Sequence, residues 1–374
     1  MEVAARRWFD ARTFTAAQFD ASDLLEMKRR GGDTVTVVIP ARNEARTVAA
    51  VVSQIARSLV ASGLVDELVV LDSDSTDDTA AVARAAGATV VAAGDVETGT
   101  PASPGKGEAL WKSLFVTGGD LLVFIDADLT EWGPHFVTGL LGPLLSDQQV
   151  LLVKGFYDRL IDGPASADAR DEARDEASDG AGEVAAEFAG RQADGPAEVT
   201  AADPAMAAAE RATPAGAPQG GRVTELVARP LLNLYWPELA AVVQPLAGEW
   251  AVRRSLIETL PVPVGYGVEF ASLADTWRRH GLPAIAQVDL GRRGHRHQNV
   301  HDLGVMAAEI LATAMRRLPG AVSGTDPPPA AASLQQYDRT AADGWRSRPV
   351  PILERPAART NRYYPHRTAA RCSS

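Results

Sequence analysis

Apolar and polar positions alternate along this chain in blocks rather than residue by residue. VTVVIP (35–40) is a short β-branched run, and the polar turn ARNE follows it. Apolar positions then recur with a helical period from Ala45 to Val60. DELVVLDSDSTDD repeats the pattern, an apolar strand ending in a burst of turn residues. Its segment Thr76–Asp77–Asp78–Thr79 offers caps and early acids to the next helix. GATVVAA (87–93) predicts a third strand, Glu108–Thr117 a third helix, and DLLVFIDADL (120–129) a fourth strand. Such an order predicts an α/β, Rossmann-like fold, a parallel sheet covered by helices. In open sheets of this kind ligands sit outside the carboxyl ends of the strands. Those ends carry ARNE, DSDSTDD and DADL, which gathers Glu44, Asp72, Asp126 and Asp128 around one crevice.

The fourth strand poses the chemical question. Asp126 and Asp128 are two residues apart, so on an extended chain both carboxylates point to one face. Like charges that close repel unless something positive lies between them. One answer is a hard cation, Mg²⁺ or Mn²⁺, held between the carboxylates and the phosphate oxygens of a nucleotide. The plainer alternative is a turn in which one carboxylate caps the next segment. Familiar phosphate loops are absent. GKGEAL (105–110) has no Ser or Thr after its lysine and no third glycine in the dinucleotide pattern.

Composition narrows the setting. The chain has 374 residues, 46% hydrophobic and 23% charged, enough to bury a sizeable core. The one cysteine, Cys372, excludes a disulfide framework and a cysteine metal site within the chain. Neither a signal peptide nor an apolar run of membrane-spanning length is evident, so a cytoplasmic protein without a membrane span is expected. The formal net charge of −11 is concentrated in residues 162–220, whose 13 Asp and Glu against 4 Arg give −9. That Ala-, Gly-, Pro- and acid-rich segment has too few large apolar residues to offset its ordering entropy, and reads as a disordered insertion. The charge therefore says little about the substrate, and nucleic acid is not an expected partner.

Eight blocks in order carry a further signal: VVIPARNEARTV, VVLDSDSTDDT, PGKGEALWKSL, FIDADL, GGRVTELVARPLL, QPLAGEWAVRRSL, GYGVEF and IAQVDLGRRGHRH. In this order the sequence resembles the glucosyl-3-phosphoglycerate synthases, retaining glycosyltransferases of the GT-A fold. The match runs from about residue 33 to 316 and reappears in SRPVPILERP (347–356). The resemblance implies transfer of glucose from UDP-glucose to 3-phosphoglycerate with retention, on a route to glucosylglycerate and methylglucose polysaccharide. It implies a divalent metal, Mg²⁺ or Mn²⁺, and a homodimer. Pro40, Ala41, Arg42 and Glu44 would hold the uridine, with Ser73 lining the base pocket and Lys106 approaching the nucleotide. Asp126 and Asp128 would bracket sugar and metal, Asp128 as direct ligand with His295 as the second. Glu269 in GYGVEF would hold the acceptor hydroxyl or the sugar, completing a catalytic set with Asp126, Asp128 and Lys106.

The acceptor is expected at Gly221, Arg222, Val223 and Thr224. There a glycine turn, a guanidinium and the amides of a helix start suit a phosphate or carboxylate. His297 stands where the family often has Asn, on the acceptor side, and HRHQ is closer to the related mannosyl-3-phosphoglycerate synthases. GDP-mannose is therefore the alternative donor. A sugar nucleotidyltransferase is disfavoured because ARNE lacks a glycine-rich basic loop, and a non-catalytic nucleotide-sugar binder would bind without turnover. The expected organisation is an N-terminal extension (1–32), a nucleotide-sugar half (33–161), the acidic insertion (162–220), a smaller acceptor-binding part (221–318) and a tail (319–374).

Overall fold

The computed structural model describes residues 3–160, 221–294, 299–318, 331–338, 340–341 and 344–365. The acidic segment 162–220 and the candidate residues His295 and His297 lie outside them. Residues 1–159 and 219–374 belong to one compact unit.

Its first half is a run of strand–helix repeats. Helix α1 (Val3–Arg12) leads into β1 (Thr13–Thr15) and α2 (Ala21–Gly31). Then come β2 (Val35–Ala41), α3 (Val48–Ile55), β3 (Glu67–Asp72), α4 (Thr79–Ala85) and β4 (Thr89–Ala92). Helix α5 (Lys106–Val116), β5 (Leu121–Phe124), α6 (His135–Ser146) and β6 (Leu152–Leu160) complete it. After the acidic segment follow α7 (Arg229–Tyr235), β7 (Trp250–Arg253), α8 (Arg254–Ile257), β8 (Val262–Pro263), α9 (Val268–His280) and β9 (Ile285–Gly294). Helix α10 (Val300–Met315), the hairpin β10 (Ala331–Tyr337) and β11 (Trp345–Pro351), and the short β12 (Glu354–Arg355) end the chain.

One eight-stranded sheet, in the order β1-β9-β6-β7-β5-β2-β3-β4, organises the unit. Strand β2 pairs in parallel with β3 and β5, and β3 with β4, as the sequence pattern implies. Two features go beyond that pattern. Strand β7 enters antiparallel between β5 and β6, and β1 closes one edge in parallel with β9. Neither is readable locally, because WAVR and TFT are short and their partners are remote in sequence. The C-terminal segment returns to the sheet's neighbourhood through β12, which pairs with β8.

Both faces of the central strands are covered, so β2 and β5 read as continuous apolar runs rather than alternating ones. Val35, Val37, Ile39, Leu121 and Val123 face one core with α3 and α6 residues. Val38, Leu122 and Phe124 face the other, with Trp111 of α5 and Trp250 of β7. Phe124 and Trp250 are direct cross-strand partners with ring centroids 4.5 Å apart. Each fully buried large apolar side chain contributes about 1.5–3 kcal/mol. Residues that follow β2, β3 and β5 are thereby held on a rigid platform.

Candidate functional site

The turns after β2 and β3 are laced together. Asn43 and Asp74, both non-glycine, take left-handed backbone conformations (φ 57° and 56°), a sparsely populated region that surrounding bonds must hold. Asn43 N–H donates to Ser75 Oγ (2.9 Å), and Thr76 N–H donates to Asn43 Oδ1 (2.8 Å). Glu44 N–H donates to Thr79 Oγ1 (2.8 Å). ARNE and DSDSTDDT therefore form one wall. Pro40, Ala41, Arg42, Glu44, Ser73 and Asp74 line a cleft of about 520 Å³ there, with Lys106, Asp126, Asp128 and Tyr266 on its other side. The structure thus brings Pro40, Ala41, Arg42, Glu44 and Ser73 into one cavity with Lys106, Asp126 and Asp128.

GKGEAL, which fits no phosphate-loop pattern, has a different reason for its glycines. A Cβ at Gly105 would sit 2.3 Å from the Val264 carbonyl oxygen, and one at Gly107 would sit 1.8 Å from that of Pro263. Two glycines let the start of α5 press against 263–265, which brings Lys106 over the strand ends. Its Nζ lies 2.7 Å from Asp126 Oδ1 and 2.9 Å from Glu269 Oε1. Glu269 arrives on the first turn of α9 and is buried.

Arg293 at the end of β9 supplies the second cation. Its guanidinium contacts Asp126 Oδ2 and Asp128 Oδ1, each at 3.1 Å, and Glu249 Oε1 at 3.2 Å. It also donates to the Tyr157 hydroxyl (2.6 Å) and lies over that ring at 5.2 Å. In the sequence the pair Asp126 and Asp128 asked for a positive partner, and this arginine is one. Gly248 closes the back of the site, since a Cβ there would fall 2.2 Å from Asp126 Oδ2.

Electrostatics follow from this packing. Burial alone would raise Asp126, but Lys106 and Arg293 overcome it and hold the carboxyl well below the usual carboxylate range. Burial would lower Lys106, yet Asp126 and Glu269 keep it firmly protonated. Glu249 is pushed up by burial, against the pull of Arg293. Behind them Lys154 of β6 is fully buried and pushed down to about 8 by that burial. Its ammonium donates to the Ala247 carbonyl (2.8 Å) and lies 5.6 Å from the Trp250 ring centroid.

The expected acceptor residues sit apart from this cleft's lining. Gly221, Val223 and Thr224 are buried at the start of the helical segment that runs into α7, and Arg222 is exposed. Sequence reasoning missed Arg293, Glu249, Tyr157, Lys154 and Tyr266. A signal existed for two of them: a lysine inside LLVKGFY and a glutamate before the apolar WAV are charges placed within buried runs.

A second hollow of about 570 Å³ lies at the opposite, amino ends of β2 and β5, lined by Asp33, Asp120, Arg253, Arg254 and Tyr364 among others. Two of its arginines are largely engaged with the backbone: Arg253 Nε donates to Val150 O (3.1 Å) and Arg254 Nε to Gly119 O (2.5 Å). The chemistry belongs to the carboxyl-end cleft.

Comparison with known proteins agrees with this geometry. The Glycosyl transferase family 2 pattern matches residues 36–170. Glucosyl-3-phosphoglycerate synthase from Mycobacterium tuberculosis is 43% identical over 288 residues, covering 77% of this chain and 74% of its own. The synthase from Mycolicibacterium smegmatis is 42% identical over 311 residues, covering 83% and 86%. A crystal structure of the M. tuberculosis synthase in complex with Mn²⁺, UDP-glucose and phosphoglyceric acid superposes with a TM-score of 0.68 at 39% identity, covering 91% of this chain and 95% of that one. Another, with Mn²⁺, UDP and glucosyl-3-phosphoglycerate, matches equally well at 38% identity. The sheet is that of a GT-A glycosyltransferase, and with such agreement along most of both chains this protein belongs to the glucosyl-3-phosphoglycerate synthase family.

Proposed function

We propose that this enzyme transfers glucose from UDP-glucose to the free hydroxyl of 3-phosphoglycerate with retention of configuration. The observation that carries the reading is the charged lattice Glu269–Lys106–Asp126–Arg293–Asp128 at the strand ends of a GT-A sheet, beside a wall formed by Arg42, Glu44 and Ser73. In it Glu44 holds the ribose and Lys106 meets the diphosphate side. Asp126 orients the sugar, and Arg222 with Thr224 takes the acceptor's anionic groups. Positioning and charge stabilisation are then the protein's main contributions.

The donor set fits a divalent cation. Asp128 presents a hard carboxylate whose side chain is 32% exposed, at the more open end of the pair. Asp128 would hold the ion, with His295 as second ligand. A bound divalent ion neutralises the charge that develops on the departing diphosphate. We also assign a cytoplasmic homodimer. Among the described residues no helix is long and apolar enough to cross a membrane, and Leu226, Leu234 and Tyr235 leave an exposed apolar strip before and along α7.

Purified protein incubated with 3-phosphoglycerate and Mn²⁺ should release UDP from UDP-glucose, with sedimentation reporting a dimer. Faster release of GDP from GDP-mannose would replace the donor, and no release from any nucleotide sugar would remove the reading.

A further inference from the structure

The turn Gly265–Tyr266–Gly267 is gripped from behind by one face of α10. Tyr266 N–H donates to Glu309 Oε2 at 2.6 Å. A Cβ at Gly265 would fall 1.8 Å from that same oxygen, and one at Gly267 would fall 2.1 Å from Thr313 Oγ1. Glu309 and Thr313 are four residues apart, so they share a helix face, and both are buried. On its other side the turn meets the glycine pair before and after Lys106, and Glu108 N–H donates to Val264 O (2.8 Å). Tyr266 itself lines the donor cleft, its residue 39% exposed.

We propose that Glu309 is a positioning residue for donor binding: its carboxylate holds the 264–267 turn so that Tyr266 and Lys106 face the nucleotide. The proposal rests on the cleft being the donor site. Glu309 touches none of the reacting groups, and no other part of the reading uses it. A buried carboxylate kept beside two glycines, where an apolar side chain would pack more cheaply, needs a task, and the one bond it makes to the turn is that task.

Burial pushes the Glu309 carboxyl up to about 7, with the Tyr266 N–H bond opposing that rise and Glu269 adding to it. The groups facing it are Glu269 from α9 and the turn with Tyr266. Farther along α10, Asp302 pairs with Arg348 of β11, and Arg317 just beyond the helix pairs with Asp275 and Glu354. Arg222 and Glu225 stand on the helical segment packed against α10, with Glu225 paired to Arg229. Ionised Glu309 accepts a charge-assisted bond, roughly twice as strong as the neutral one. The grip is therefore tight above pH 7 and slackens below it.

UDP binding with Mn²⁺, followed by calorimetry from pH 5.5 to 8.5, tests this on wild type, Glu309→Gln and Glu309→Ala. Wild type should lose about tenfold in affinity from pH 8 to 6, with a midpoint near 7. Glu309→Gln keeps an acceptor oxygen that does not titrate, so its curve should lose that inflection. Glu309→Ala should bind UDP at least tenfold more weakly at pH 8, with its calorimetric affinity for 3-phosphoglycerate unchanged. Circular dichroism melts establish that each variant is folded. An inflection near 7 that persists in Glu309→Gln, or a folded Glu309→Ala with wild-type affinity, would overturn the proposal. The readout is binding rather than transfer, so the test stands even where no glucose moves.

Discussion

Arg293 stands between Asp126 and Asp128, its Nη2 3.1 Å from an oxygen of each. A guanidinium can serve both carboxylates and the buried Glu249 together because its donors are spread in a rigid fork. An ammonium cannot. Arg293→Lys should therefore keep the charge, lose the bridge, and lower turnover by about ten- to a hundredfold. Arg293→Ala should also melt early, since uncompensated burial of Glu249 costs about 3–5 kcal/mol. Turnover and denaturant midpoints on both variants check this; a fully active lysine variant would contradict the fork's role.

Asp128 carries the metal reading. Asp128→Asn keeps the size and removes the charge that complements a cation, so turnover should fall at least about a hundredfold. Excess chelator should do the same to wild type, and added Mn²⁺ should restore wild type alone. Undiminished activity in chelator would end the assignment.

Arg222 carries the acceptor reading. Losing a hydrogen bond to a charged group costs about 1.5–3 kcal/mol, or roughly ten- to a hundredfold in affinity for 3-phosphoglycerate. Arg222→Ala should show that loss with the constant for UDP-glucose unmoved, and Arg222→Lys should recover part of it. Saturation curves in each substrate decide the matter. A donor effect in place of an acceptor effect would reverse the assignment.

Lys154 links the site to stability. Its folded value of about 8 lies below the ordinary lysine value of 10.5, so the native state sheds this proton earlier than the unfolded chain does. The associated stability is complete above about 10.5 and is lost as pH falls through about 8. Lys154→Met has no such titration. The stability of wild type relative to this variant should therefore rise with pH, by on the order of 2 kcal/mol between pH 7.5 and 9.5. Urea midpoints for both proteins at both pH values measure it, and a constant difference would show that Lys154 is not held charged in a dry site.

What the sequence disclosed depended on range. Strands β2 to β5 were legible because their apolar runs and turn residues are local signals, and parallel pairing follows from the helices between them. Strand β7 was not, because WAVR binds β5 antiparallel through a contact 120 or more residues away. Asp126 and Asp128 were legible as a pair of acids after an apolar strand, but not their geometry: β5 ends at Phe124, and Ala127 and Asp128 lie in a turn rather than on the extended chain expected over 120–129. Arg293 was passed over because RRGHRH shows three arginines alike, and only the fold buries this one beside Glu249. Gly105 and Gly107 were read as a failed phosphate loop, since nothing local reveals that Pro263 and Val264 will lie against them.

The pairing of β1 with β9 sets Thr13 opposite Gln287, whose side chain donates to the Thr13 hydroxyl at 2.9 Å. Just before it, Trp8 donates to the carbonyl of Ile285 and is almost wholly covered. These partners leave the ribosome far apart in time. At about 5–20 residues per second, β9 is synthesised roughly 15 to 50 s after β1. Through that interval β1 and Trp8 lack their partner strand, and this edge of the sheet is unfinished. A segment made early is thus completed late: the α1–β1 edge has no strand to pair with until β9 has left the ribosome.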